Sequence, residues 1–293
     1  MAHPTETSAV RSDPPAERGG LRESLTVLRS SKTAMVGLAM VSFWVLVALF
    51  SLVSTANPYA QDGSAPNAPP SATHWLGTDD LGRDLLARVI HGSRTILILS
   101  PLSVLSAVVV GSALGLVAGY RGGIVDEVVM RLLDAIMAFP TILLYLIIIA
   151  ALGASPANVV LAITIGGVPG IARLVRSLAL DIRTRDYIYA AELAGENSFY
   201  IMFVEILINA RGPVIVDSML RIGYAVFSIG ALGFLGLGLP PPSPDWGSMI
   251  ARGRSFLQIT PWAVLWPALA IASLVVGLNL LADGLHEESV RYQ

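Results

Sequence analysis

The sequence predicts an all-α membrane protein with six transmembrane helices, and three observations predict it. Hydrophobic residues make up 54% of the chain and charged residues 14%, against roughly 25% charged in a soluble domain. The mean hydropathy is +0.67. The apolar residues are also gathered into runs close to the ~20 that a helix needs to cross a ~30 Å hydrocarbon core.

Five runs are clear, at 34–54, 95–119, 128–152, 214–239 and 262–282. A sixth, 157–178, contains Gly166, Gly167, Pro169, Gly170, Arg173 and Arg176, yet its first 16 residues carry no charge. Basic residues set the orientation, because loops rich in Lys and Arg stay on the cytoplasmic side. Of the 19, fourteen fall on one side of the six spans and five on the other. Both termini are therefore expected to be cytoplasmic. No cleavable leader pattern precedes the first run.

The expected organisation follows. Residues 1–33 form a cytoplasmic tail, disordered at its start, with a surface helix from about Leu21. Residues 34–54 form the first span. Residues 55–94 form an extracytoplasmic loop carrying a surface helix. Residues 95–282 form a five-helix core that includes a cytoplasmic loop at 183–212, and 283–293 form a second cytoplasmic tail.

Some chemistry is excluded outright. The chain has no cysteine, so it has no disulfide and no thiolate metal site. His74 and His91 have no metal-like spacing. Lys32 is the only lysine, and there is no GxxxxGK[ST] phosphate loop. The chain cannot hydrolyse ATP in the P-loop manner. No isolated acid lies mid-span, which argues against a proton-coupled carrier.

The stretch RDYIYAAELAGENSFYIMFVEILINARGP, at 185–213, lies between the fourth and fifth spans. Ala190, Ala191 and Ala194 favour a helix, Gly195 stops it, and Asn197 or Ser198 can cap the next one. The apolar run 199–208 would be only ~15 Å long as a helix, half a bilayer. It is expected to pack under the bundle as a short stem. A polar knob on such a stem suits a cytoplasmic partner; the competing reading is an ordinary loop with a surface helix.

In the first external loop, Thr78 or Asp79 can cap a helix from about Leu81, with Leu81, Leu85, Arg88 and Val89 on one face. In the second, Pro240, Pro241, Pro242 and Pro244 force an extended path before Asp245 and Trp246. Asp79, Arg83, Asp84, Pro242, Asp245 and Trp246 are the candidates for an outer gate or a docked partner. The alternatives are a solvated surface helix, and tryptophans (Trp262, Trp266) anchoring at the interface. Gly111, Gly115 and Gly119 share one helix face and predict close packing, as do Gly230, Gly233, Gly236 and Gly238. Pro140 should kink the third span. Arg131 with Asp134, and Asp217 with Arg221, are spaced to neutralise each other along a helix.

The Ala190-Ala191…Gly195 spacing resembles the EAA loop of bacterial ABC importer permeases, with Tyr189 where that motif begins with Glu. HWLGTDDLGRDLLARVIHGSR, at 74–94, and FLGLGLPPPSPDWGSMIARGRSFL, at 234–257, resemble two signatures of the C-type permease of dipeptide and oligopeptide importers (DppC/OppC type). MRLLDAIMAFP and LLADGLHEE continue the resemblance, which covers about 25–290 in family order. It implies the type I ABC importer permease fold and a role as half of a translocation pore. Tyr189, Ala190, Ala191, Glu192 and Gly195 would then contact the ATPase, with Tyr189 using packing or its hydroxyl in place of a charge. The implied partners are a second permease subunit of the DppB/OppB type, one or two cytoplasmic ATPase subunits, an extracytoplasmic substrate-binding protein and membrane lipid, with no nucleic acid. ATP and Mg would be bound by the ATPase subunits, so this chain needs no cofactor and is not itself an enzyme. The implied solute is a short peptide; relatives with these signatures carry nickel chelates, glutathione or haem. A self-contained secondary carrier or channel is the competing class, and its usual marks, inverted repeats and mid-span ionisable groups, are not visible.

Overall fold

The computed structural model describes residues 31–291, with side chains to 284. The expected tail at 1–33, and its surface helix from about Leu21, lie outside the described residues up to Ser31. Ser31 caps α1 (Lys32–Val53) by accepting from the Ala34 N–H. α2 is Leu85–Arg121, α3 Gly123–Met137, α4 Thr141–Leu152, α5 Pro156–Ile182, α6 Asp186–Leu193, α7 Ser198–Phe234, α8 Trp246–Gly253 and α9 Trp262–Arg291. Five of these are long and apolar enough to cross a membrane, and the bent pair α3 with α4 makes six if it is one span. The long loops 54–84 and 235–261 meet at one end of the bundle; α6 lies at the other. Phe43, Leu46, Leu49 and Phe50 of α1 are exposed, the surface that a helix in lipid presents.

The α2–α5 contact is the most extensive in the bundle. A Cβ on Gly111 would lie 2.9 Å from Ile171 Cβ, and one on Gly119 2.8 Å from Ala179 Cβ. At Gly115 the obstacle is backbone, the Ala172 carbonyl. The glycine stripe thus does what its spacing predicts: it brings two helix backbones together. Farther along α7, Gly230 and Gly233 meet the backbone of Gly247, so α8 is pressed into that helix.

Four expectations need correction. The surface helix of 55–94 is not separate from the second span. Asp84, rather than Thr78 or Asp79, caps α2, accepting from the Ala87 N–H at 2.8 Å. Gly92 does not break α2, because the Trp246 indole packs where a side chain would stand. Likewise 199–208 is not a separate stem. It is the first part of α7, passing through a π-helical segment Ile201–Ile206, with Ile201, Met202 and Ile206 buried. Gly212 and Pro213, which separate it from the span in sequence, fall inside the helix without ending it. The third span does more than kink at Pro140: α3 and α4 meet at 86°. Finally, Arg131 pairs with Glu127 at 2.6 Å, while Asp134 reaches across to Arg173 of α5. The expected Asp217–Arg221 pair forms at 2.5 Å. The final helix runs on through 283–291.

Gly115→Leu should drive a side chain into the α5 backbone, which cannot retreat. Overpacking of this kind costs about 1–3 kcal/mol or more. The variant should show a lowered melting temperature in detergent and a reduced yield of intact protein.

Candidate functional site

Two places combine exposure or buried charge with the sequence signatures. The first is α6. Arg183 to Arg185 join it to α5 in a tight turn, and Arg183 Nη1 donates to the carbonyls of Gly119 and Tyr120, at 3.0 and 3.2 Å, closing the end of α2. α6 ends in a Schellman closure: the Gly195 N–H donates to Glu192 O at 3.0 Å and the Glu196 N–H to Ala191 O at 3.1 Å. That closure needs a left-handed residue, and Gly195 has φ +80°. Asn197 then caps α7, accepting from the Phe199 N–H at 2.9 Å. The turn from α6 into a pore-length helix is thus set by three backbone bonds.

Ile188 is the anchor of α6, 1% exposed in the apolar cluster with Val175, Ile201 and Ile206. Ala191 is half-buried beside it, while Tyr189, Ala190, Glu192 and Gly195 are exposed. Leu193 is 90% exposed, with Phe199 and Tyr200 also uncovered nearby. Apolar side chains are thus left uncovered at the end of α6 and the start of α7. Tyr120, the next-to-last residue of α2, donates its hydroxyl to Glu192 Oε1 at 3.1 Å. α6 is therefore linked to α2, α5 and α7 together. Ile188, Leu193 and Tyr120 carry no mark in the sequence that distinguishes them from ordinary helix residues.

The second place is the loop end. Asp79 Oδ1 accepts the Leu81 and Arg83 N–H groups, and Oδ2 accepts Arg83 Nε at 2.7 Å. Arg88 Nε lies 3.6 Å from the same oxygen. The remaining N–H groups of Arg88 donate to carbonyls of Pro58, Pro242 and Ser243 at 3.1–3.4 Å. One buried guanidinium thereby staples both long loops to the start of α2. Trp246 is fully buried; its Nε1–H donates to Val89 O at 3.0 Å, and its ring packs edge-on to Trp44, centroids 4.8 Å apart. Asp245 caps α8 by accepting the Ser248 N–H at 2.9 Å.

The residues named from sequence at this end are thus mostly internal. Asp79, Arg83, Asp245 and Trp246 are buried; Asp84 is half-buried and Pro242 exposed. His74 Nδ1 lies 2.8 Å from Asp84 Oδ2, and among the described residues no cluster could hold a metal ion. Arg88 carries the staple, and the sequence marked it only as a charge at helical spacing on an apolar face. Burial pushes the Asp245 carboxyl above its ordinary range, opposed by its bonds to Ser248. A raised carboxylate retains its proton longer in the folded state, so stability falls as pH rises through its titration. Asp245→Asn keeps a good cap and removes the charge. The melting temperature of the natural protein should fall relative to that of Asp245→Asn as pH rises above the ordinary carboxylate range. A difference independent of pH would contradict the assignment.

Residues 111–290 match the family described as binding-protein-dependent transport system inner membrane component, and residues 21–70 match the N-terminal TM domain of oligopeptide transport permease C. The dipeptide transport system permease protein DppC of Alkalihalophilus pseudofirmus is 40% identical over 98% of this chain and 96% of its own length. DppC of Escherichia coli is 38% identical over 98% and 97%. The glutathione transport system permease protein GsiD of Pectobacterium atrosepticum is 42% identical over 75% and 73%. With the apolar crossings and the exposed α6 already in view, these matches settle the kind of molecule: the chain belongs to the binding-protein-dependent transport system inner membrane component family, as a multi-pass ABC permease of the inner membrane.

Proposed function

We propose that the chain forms one half of the pore of an ATP-driven importer of short peptides, with α6 as its contact to a cytoplasmic ATPase subunit. The observation that carries this reading is the build of α6: an exposed apolar patch on a helix bonded to α2, α5 and α7 at once. A push on it must move all three. The fourteen-to-five bias of basic residues in the sequence supports a cytoplasmic position for that end by the positive-inside rule. Because the chain has no phosphate loop, ATP and Mg bind in the partner subunits. A second permease subunit completes the pore.

In this reading ATP closes the ATPase pair, α6 is carried with it, and the bundle rocks between inward- and outward-open states. A binding protein delivers solute at the loop end and favours one state by its differential affinity. Its contact is the rim, with Pro242 exposed and Asp84 half-buried there, while Asp79, Arg83, Asp245 and Trp246 hold that rim from beneath. Peptides are the solute named for most of the relatives. Glutathione, itself a tripeptide, is a second reading, favoured by the GsiD match.

Gly195→Trp tests the coupling. Nothing lies within 4 Å of the added Cβ, so the membrane fold should survive with about 1–2 kcal/mol of local backbone strain. Assembly, measured by co-purification of the ATPase subunits, should persist while peptide uptake and peptide-stimulated ATP hydrolysis collapse. Normal stimulation in that variant would sink the coupling role. Solute flux by this chain alone in liposomes would instead favour a self-contained carrier.

A further inference from the structure

α4, α5 and α7 enclose, with α2, a cavity of about 340 Å³, at the small end of the ~300–1,000 Å³ range of small-molecule sites. Arg221 of α7 lines it, about 20 Å along that helix from Phe234 at 1.5 Å per residue. Ionisable side chains on membrane-spanning helices are costly and mark solute or ion paths.

The surroundings of Arg221 are built to present it. Asp217 takes Nε at 2.5 Å and Nη2 at 3.3 Å, cancelling the charge. Nη1 makes no hydrogen bond among the described residues. A Cβ on Gly170 would lie 2.8 Å from Nη1 and Nη2, so the lack of a side chain there leaves the guanidinium its place against α5. Gly166 does the same for Tyr145, whose ring carbon would lie 2.6 Å from an added Cβ. The two glycines that weaken α5 as a membrane span therefore make a notch for a tyrosine and an arginine. Tyr145, Tyr224, Thr141 and Ser228 also line this cavity, and their hydroxyls make no hydrogen bond among the described residues. The cavity thus collects one guanidinium edge and four hydroxyl-bearing side chains.

We infer that this cavity is a transit site for the solute, in which Arg221 receives a peptide carboxylate, positioned by Asp217 and Gly170. The inference rests on the reading of the chain as half of a peptide-conducting pore. The guanidinium edge supplies charge-assisted donors to a carboxylate, and the hydroxyls serve the amide and ammonium groups. Asp217 keeps the site weak, and a transit site must release what it binds.

The test uses the full importer in proteoliposomes, with its second permease, ATPase subunits and binding protein, and alanyl-alanine as probe. Arg221→Gln should lower uptake about tenfold or more, the size expected for losing a charged hydrogen bond. Arg221→Lys should fall between. The deciding variant is Asp217→Asn with Arg221→Gln, which leaves no unpaired charge in the membrane. Transit binding predicts that uptake stays low in it. Restored uptake would overturn the inference, because the pair would then serve only neutralisation. So would wild-type uptake by Arg221→Gln. Failure of the unaltered importer to carry alanyl-alanine or any other short peptide would instead overturn the functional reading beneath it.

Discussion

The structure depends on the face where α2 and α5 touch backbone to backbone. Lipid is as apolar as the side chains, so burial from water cannot drive these helices together. Close packing must do it, and Gly111, Gly115 and Gly119 permit it against Val168, Ala172 and Ala179. Both helices then carry loads at their ends. α2 starts beneath the stapled loops and ends at Tyr120, beside α6. α5 starts at Ser155, which caps it, and continues into α6 through Arg183.

This arrangement joins the two ends of the bundle mechanically. At the loop end, Arg88 and Trp246 fasten 54–84 and 235–261 to the first turns of α2. At the other end, α6 is fastened to the last turn of the same helix. α7, which lines the cavity, starts directly after the Gly195 turn, and the π segment Ile201–Ile206 lies at its base. Cross-helix pairs, Asp126 with Arg176 and Asp134 with Arg173, tie α3 to α5 at that end. The break at Pro140 leaves α4 free to take a different direction and bring Tyr145 into the cavity.

Charge is handled in the same economical way throughout. Ionised groups are paired along one helix, as Asp217 with Arg221, or donate into loop carbonyls, as Arg88 does. A buried guanidinium without such partners would be strongly destabilising. Asp245 is the exception, a buried carboxyl with one oxygen lacking a partner among the described residues, accepted because its other oxygen caps α8.

The five to six apolar crossings, the α6 stop at Gly195, a cap at Asn197 or Ser198, the α2 packing stripe and the Asp217–Arg221 pair were determined by the sequence, because each is set by composition or by residues within a turn or two. Only the tertiary structure decided where helices run on. Gly92 reads as a breaker until Trp246, more than 150 residues away, is seen to occupy the space beside it. Spacing favours Arg131 for Asp134, but the bend that brings α5 alongside gives that carboxylate to Arg173. Asp79, Arg83, Asp245 and Trp246 read as surface residues because polar loops usually are; their burial follows from the meeting of two loops far apart in the chain. Contacts of that kind leave no periodicity behind, which is why the fold was legible in the sequence and the inner construction of its sites was not.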